Sequence, residues 1–217
     1  MKPTFVYAKL LEKIGPIDRG ARYEEPLDAA LKKEGLGECD GGGTMQAKDG
    51  EIEYIGLDIQ LYNLERGIPF VIRFLEDRGV AAGSTLEIEG KEKHVTFGKV
   101  EGLGVYLDGV NLPAEVYEKC DVNFVVSELE KRIKPDGLMR AHWQGPRETA
   151  LYFYGKSAGE MEKALRPFLD TYALCKNARV VTLTATTSEC KEAPKQTPLR
   201  TPATGEPGAP LPGAADR

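Results

Sequence analysis

Histidine, tryptophan and paired cysteines are scarce in this chain, and each shortage removes a class of chemistry. Its 217 residues hold two histidines, His94 and His142, one tryptophan, Trp143, and four cysteines, Cys39, Cys120, Cys175 and Cys190. No Cys-x-x-Cys spacing occurs and neither histidine lies near a cysteine, so no zinc template fits. No metal and no other cofactor is expected. Apolar runs are short as well: none approaches the ~20 residues of a bilayer-spanning helix, and mean hydropathy is −0.36, so no membrane association is expected. At the start, Lys9 interrupts the apolar stretch that a signal peptide would need. Phe5 to Leu11 therefore reads as a first strand, the widely spaced cysteines as reduced thiols, and the cytoplasm as the expected location. An excess of positive charge is lacking too. With 29 basic against 34 acidic residues the net charge is −5, which argues against nucleic acid as a partner.

The acidity is concentrated in the first half. Residues 1–89 carry 11 Lys and Arg against 17 Asp and Glu, net −6; residues 90–190 carry 14 of each; residues 191–217 carry 4 and 3. Such a surface either keeps the chain soluble or steers a cationic partner toward it. The last stretch holds Pro194, Pro198, Pro202, Pro207, Pro210 and Pro212 with almost no large apolar side chain. It has too little to bury to offset its ordering entropy, and a disordered Pro-rich tail is expected over 191–217.

Before the tail, strand and helix signals alternate. Tyr23 to Gly35 has Pro26 in its first turn, acids at its start, lysines at its end and glycine as terminator, a helix whose charges oppose its dipole. Glu38 to Gln46 and Glu51 to Tyr62 flank Lys48-Asp49-Gly50, a tight-turn sequence, and so predict a hairpin. Apolar positions in its second strand switch from even (Ile52, Tyr54) to odd (Ile55, Leu57, Ile59, Leu61), predicting a bulge near Gly56. Pro69 to Arg78 reads as a helix and Ser84 to Glu89 as a strand.

The same order follows again. His94 to Leu107 reads as a strand or hairpin around Gly102, and Asp121 caps a helix bearing Val125, Leu129 and Ile133. Leu138 to Gln144 and Thr149 to Tyr154 pair, Ser157 to Glu160 forms a capping box, and Ala178 to Ala185 closes the sheet. The fold class is therefore α+β, with two tandem ferredoxin-like βαββαβ modules over 1–89 and 90–190, each an antiparallel sheet with helices on one face. The face that helices leave open is where function is sought.

No motif forces one chemistry. Gly41-Gly42-Gly43-Thr44 lacks the Lys-Ser/Thr ending of a phosphate-binding loop and leads into a hairpin, so it reads as a bulged strand. Glu51, Glu53 and Asp58, on the second strand of that hairpin, form an acidic ridge and are the candidate partner-binding residues. The densest polar group is Arg140, His142, Gln144 and Arg147. Period-two alternation puts Arg140, His142 and Gln144 on one strand face and Met139, Ala141 and Trp143 on the other. That group is either a ligand site between the two sheets, with His142 as acid, base or anion ligand, or a solvated strand face with Trp143 in the core. No catalytic residue is assigned.

The run Tyr106-Leu107-Asp108-Gly109, Leu112-Pro113, Val116-Tyr117, Cys120-Asp121-Val122-Asn123, with His142-Trp143-Gln144-Gly145-Pro146 and Thr149-Ala150-Leu151-Tyr152, resembles a family of uncharacterised bacterial proteins. The resemblance covers most of residues 1–185 and brings no activity with it. A small, acidic, duplicated α+β chain is also similar to bacterial inhibitor and immunity proteins. The expected function is a non-enzymatic protein-binding module, such as an inhibitor or immunity-type protein that masks a cationic partner; the alternative is a small-molecule or nucleotide-responsive protein with its site near His142.

Overall fold

The computed structural model describes residues 2–92 and 94–184; the tail expected over 191–217 lies outside the described residues. The first half runs β1 (Thr4–Leu10), α1 (Pro16–Arg19), a π-helical turn (Gly20–Glu24), α2 (Glu25–Glu34), β2 (Gly37–Gln46), β3 (Ile52–Leu61), α3 (Leu64–Asp77), β4 (Ser84–Ile88) and β5 (Val95–Phe97). The second runs β6 (Glu101–Asp108), α4 (Ala114–Lys119), α5 (Val122–Ile133), β7 (Gly137–Gln144), β8 (Glu148–Gly155), α6 (Ala158–Leu169), a short 3-10 turn (Ala173–Cys175) and β9 (Arg179–Thr182).

The sheet orders are β2-β3-β1-β4-β5 and β7-β8-β6-β9, and neighbouring strands are antiparallel throughout. In each, the first and third strands of a βαββαβ unit sit in the middle, flanked by the second and fourth, which is the ferredoxin-like arrangement. One correction concerns the boundary. A division between residues 89 and 90 assigns His94 to Phe97 to the second module, but β5 pairs with β4 through Ser84↔Phe97, Thr85↔Thr96 and Leu86↔Val95 and so extends the first sheet. Val95 and Phe97 pack onto the first core, so the run from His94 to Leu107 is split between the two sheets.

Local chemistry sets the helix ends. Gly35, at φ 62°, closes α2 by donating its N–H to the Leu31 and Lys32 carbonyls. Asn63, Asp121 and Ser157 each accept a backbone N–H of the helix that follows. The Asn63 cap starts α3 at Leu64, before the Pro69 where periodicity alone begins it. In β3 the extra residue is Glu53, and β2 carries a second irregularity at Asp40 and Gly41. Gly56 is not the bulge: a Cβ there would stand 2.1 Å from Tyr7 Oη, because the Tyr7 ring lies across it.

Each module has its own core. Leu27, Leu31, Val71 and Leu75 pack on Val6, Leu10, Ile55, Leu57 and Ile59 in the first. Val125, Leu129, Met161 and Leu165 pack on Leu103, Val105, Leu151 and Phe153 in the second. A third cluster joins the modules: Ala81 with Tyr106, Ala150, Tyr152 and Tyr154, and with Leu11, Val100 and Trp143 at its margin. Among the described residues no helix is long and apolar enough to cross a membrane.

Candidate functional site

Alternation along the strands gives each sheet one face toward its helices and one away from them. On the second sheet the outward side chains include Tyr106, Tyr152 and Tyr154, and the first module covers them. Lys13 donates its backbone N–H to Tyr154 Oη at 2.9 Å, and Tyr106 and Tyr152 donate their hydroxyls to Glu51 Oε1 at 2.6 and 2.8 Å. Lys13 Nζ reaches the same Glu51 oxygen at 2.7 Å and stands 5.4 Å from the centre of the Tyr152 ring. Deeper in, Arg140 lies 4.6 Å over the Tyr154 ring and pairs with Glu12 at 2.7 Å, with side-chain exposures of 5% and 0%. Tyr23 Oη donates to Glu12 at 2.6 Å and Arg140 to the Gly79 carbonyl at 2.8 Å, while Glu12 Oε2 and Arg140 Nε have no hydrogen-bond partner among the described residues.

Protein side chains thus meet across the modules, with a depression of about 340 Å³ beside Arg140 between Ile14, Asp18 and Arg22 of the first and Leu138 and Met139 of the second, and two sequence expectations need correcting. Arg140 and His142 do not share a face. A register shift between Met139 and Ala141 makes Arg140 the extra residue of a bulge, so Ala141 sits opposite Tyr152 and His142 opposite Leu151. Arg140 therefore turns into the inter-module contact, while His142 is exposed on the helix side of an edge strand and Gln144 and Arg147 are exposed beyond it. Nor do Glu51, Glu53 and Asp58 form one ridge. Glu51, its side chain only 17% exposed, is held between the modules by a lysine and two tyrosines. Glu53 projects from the bulge, and Asp58 lies on the outer face of the first sheet. Burial works to raise the Glu51 pKa, but the hydrogen bonds from Lys13, Tyr106 and Tyr152 outweigh it and hold the carboxyl below its ordinary range.

The outer face of the first sheet is open. Phe5, Tyr7 and Lys9 project from β1, Tyr54, Asp58 and Gln60 from β3, and Glu87 from β4, with Phe5 42% and Met45 of β2 45% exposed. Tyr7 stands opposite Asp58 on one neighbour and Glu87 on the other. Burial, the adjacent Tyr54 and these two carboxylates raise the Tyr7 pKa. Neither Asp58 nor Glu87 has an ion-pair partner among the described residues. Lys9 Nζ sits 4.2 Å over the Tyr54 ring. A depression of about 390 Å³ opens here, lined by Phe5, Tyr7, Glu87, Ile88, Glu89, Lys91, Glu92 and His94. Sequence reasoning found Asp58 but missed Phe5, Tyr7, Tyr54 and Glu87. Their signal was the outward positions of three neighbouring strands, alternately aromatic and acidic.

Burial pushes the Cys39 thiol up to about 12 and the Cys175 thiol up to about 11, leaving both protonated at neutral pH. Among the described residues no three His, Cys, Asp or Glu side chains converge as a metal-donor set. Of the Gly41 to Gly43 run, Gly41 lies in the irregular part of β2 and Gly42 and Gly43 pair with Leu57 and Gly56, where a Cβ on Gly42 would stand 2.2 Å from the Gly56 carbonyl oxygen.

No protein-family model matches the chain and no curated protein does, in keeping with a resemblance that carries no activity. Among solved structures, a protein of unknown function from Galdieria sulphuraria is 12% identical, with 85% of this chain and 98% of that one covered at a TM-score of 0.25. A putative monooxygenase from Lactobacillus acidophilus NCFM is 13% identical, covering 85% and 95% at 0.27. RNA recognition domains 1 and 2 of Sex-lethal from Drosophila melanogaster are 12% identical, covering 82% and 98% at 0.22.

Proposed function

We propose that this protein is a non-enzymatic binding module that engages a cationic protein partner through the outer face of its first sheet. The observation that carries this reading is the contrast in cover: the second sheet's tyrosines are sealed by the first module, whereas among the described residues Phe5, Tyr7, Met45 and Tyr54 on the first sheet have no neighbouring module over them. Exposed aromatic and methionine side chains supply contact area at low entropic cost. The unpaired carboxylates of Asp58 and Glu87 set the sign of the partner's charge. Aromatic rings on the middle strands of such a sheet can also stack nucleic-acid bases, but carboxylates on both sides of Tyr7 repel phosphate.

Co-purification on immobilised protein followed by mass spectrometry tests the reading. The expected result is a stoichiometric basic protein whose association slows as salt rises and slows again when Asp58→Asn and Glu87→Gln are combined. Saturable binding of single-stranded RNA with an unaffected or improved affinity in that double variant would replace the protein partner with a nucleic acid.

A further inference from the structure

The covered sheet shows what a tyrosine-bearing face of this fold accepts. Arg140 lies over Tyr154 and pairs with Glu12; Arg179 lies 4.2 Å over Tyr106 and meets Glu148 through two hydrogen bonds; Lys13 lies over Tyr152 and pairs with Glu51. Each is one motif, a cation held between a tyrosine ring and a carboxylate. The first sheet repeats the preparation. Tyr7 is laid on Gly56 much as the Tyr106 ring closes over Gly104 and Tyr154 over Gly102, and carboxylates stand on both flanking strands. Among the described residues no cation lies over the Tyr7 ring.

Resting on the cationic reading proposed above, we infer that this face takes arginine side chains from an extended segment of the partner, one guanidinium lying over the Tyr7 ring between Asp58 and Glu87. The chemistry favours arginine over lysine. A planar guanidinium stacks on a ring while its edge donates to carboxylates on either side, and it sheds water more readily than an ammonium. Lys9, on the same face, is already placed over Tyr54. A second station lies two residues along β1, where Phe5 is flanked by Gln60 and by Glu89, whose Oε2 accepts the Phe5 N–H at 3.4 Å. Alternate residues of a strand are about 7 Å apart, as are alternate side chains of an extended peptide. A segment with arginine at every second position matches both stations.

Fluorescence anisotropy with the full chain and blocked, labelled hexapeptides tests this: Arg-Gly repeated three times, the same sequence with lysine or citrulline in place of arginine, and an isomer with its arginines contiguous. The alternating arginine peptide should bind saturably, at least fivefold more tightly than the lysine peptide and at least threefold more tightly than the contiguous isomer, with no binding by citrulline. Tyr7→Leu should weaken the arginine peptide at least fivefold and change the lysine peptide less than twofold. Asp58→Asn with Glu87→Gln should weaken both about tenfold. Equal binding of the arginine and lysine peptides, or indifference to Tyr7→Leu, overturns the arginine inference and leaves the cationic reading standing. Absence of saturable binding by either cationic peptide overturns both.

Discussion

On the second sheet Tyr106, Tyr152 and Tyr154 are roofed by Lys13, Glu12, Glu51 and Arg140; on the first sheet, among the described residues, the aromatic ring with a cation over it is that of Tyr54, under Lys9, and Tyr7 has none. The residue types are alike, aromatic rings beside carboxylates and cations. What differs is whether the counter-charges come from the same chain. Where they do, the rings and charges serve cohesion between modules. Where they do not, the same chemistry remains available to another molecule.

The largest expected effect comes from breaking the covered side. Arg140→Met leaves Glu12 buried without its counter-charge, at a cost of about 3–5 kcal/mol, and calorimetry should show the melting temperature falling by roughly 10 °C. Adding Glu12→Gln should restore much of the loss, because the pair is then removed as a whole. Next comes Glu51→Gln, which weakens three contacts made to a charged group and should cost about 2 kcal/mol in urea melts at neutral pH. Because the folded-state pKa of Glu51 is lowered, its stabilisation is present above the unfolded carboxyl's titration range and is lost as pH falls through the folded pKa. Melts from neutral to acidic pH should therefore show a smaller acid loss in Glu51→Gln than in the parent.

On the open side the effects on stability should be smaller and the effects on binding larger. Gly56→Ala places a methyl where the Tyr7 ring lies; the ring must move, at about 1 kcal/mol, and peptide affinity should drop although no ring or charge has been removed. Asp58→Asn with Glu87→Gln should shift stability by no more than about 0.5 kcal/mol, in contrast with the substitutions on the covered face. A loss there as large as that of Glu51→Gln would mean that these carboxylates hold the fold together, and the distinction between the two faces would fail.

The arrangement of elements was legible because its signals are local: Asp49-Gly50 at a turn, Gly35 closing a helix, Asp121 and Ser157 opening helices, and apolar periodicity between them. Side-chain direction was legible only where strands are regular. A bulge at Arg140 reversed the parity of β7 and separated Arg140 from His142, and one at Glu53 did the same within β3. The apolar pattern of β7 carries no parity switch to announce its bulge, whereas the switch in β3 announced one that strand pairing places at Glu53, three residues before Gly56. Glu51 was read as a surface acid because its partners Tyr106 and Tyr152 stand 55 and 101 residues away. The short β5 carries too little pattern to announce which sheet it joins.

The pairing of Glu12 with Arg140 joins residues 128 positions apart. At bacterial or eukaryotic synthesis rates that interval is on the order of ten seconds, and for about its last third, once Phe97 completes β5, the first module has all its own strands while its buried carboxylate awaits a guanidinium still to be made. Through that interval Glu12 must stay hydrated or protonated, and the loop from Leu11 to Ile14 has no second sheet to settle on. Maturation of the nascent chain should therefore end with a slow docking step gated by emergence of β7, and a ribosome-stalled chain ending before Gly137 should show its amides near Glu12 exchanging freely while those of β1 and β3 are already protected.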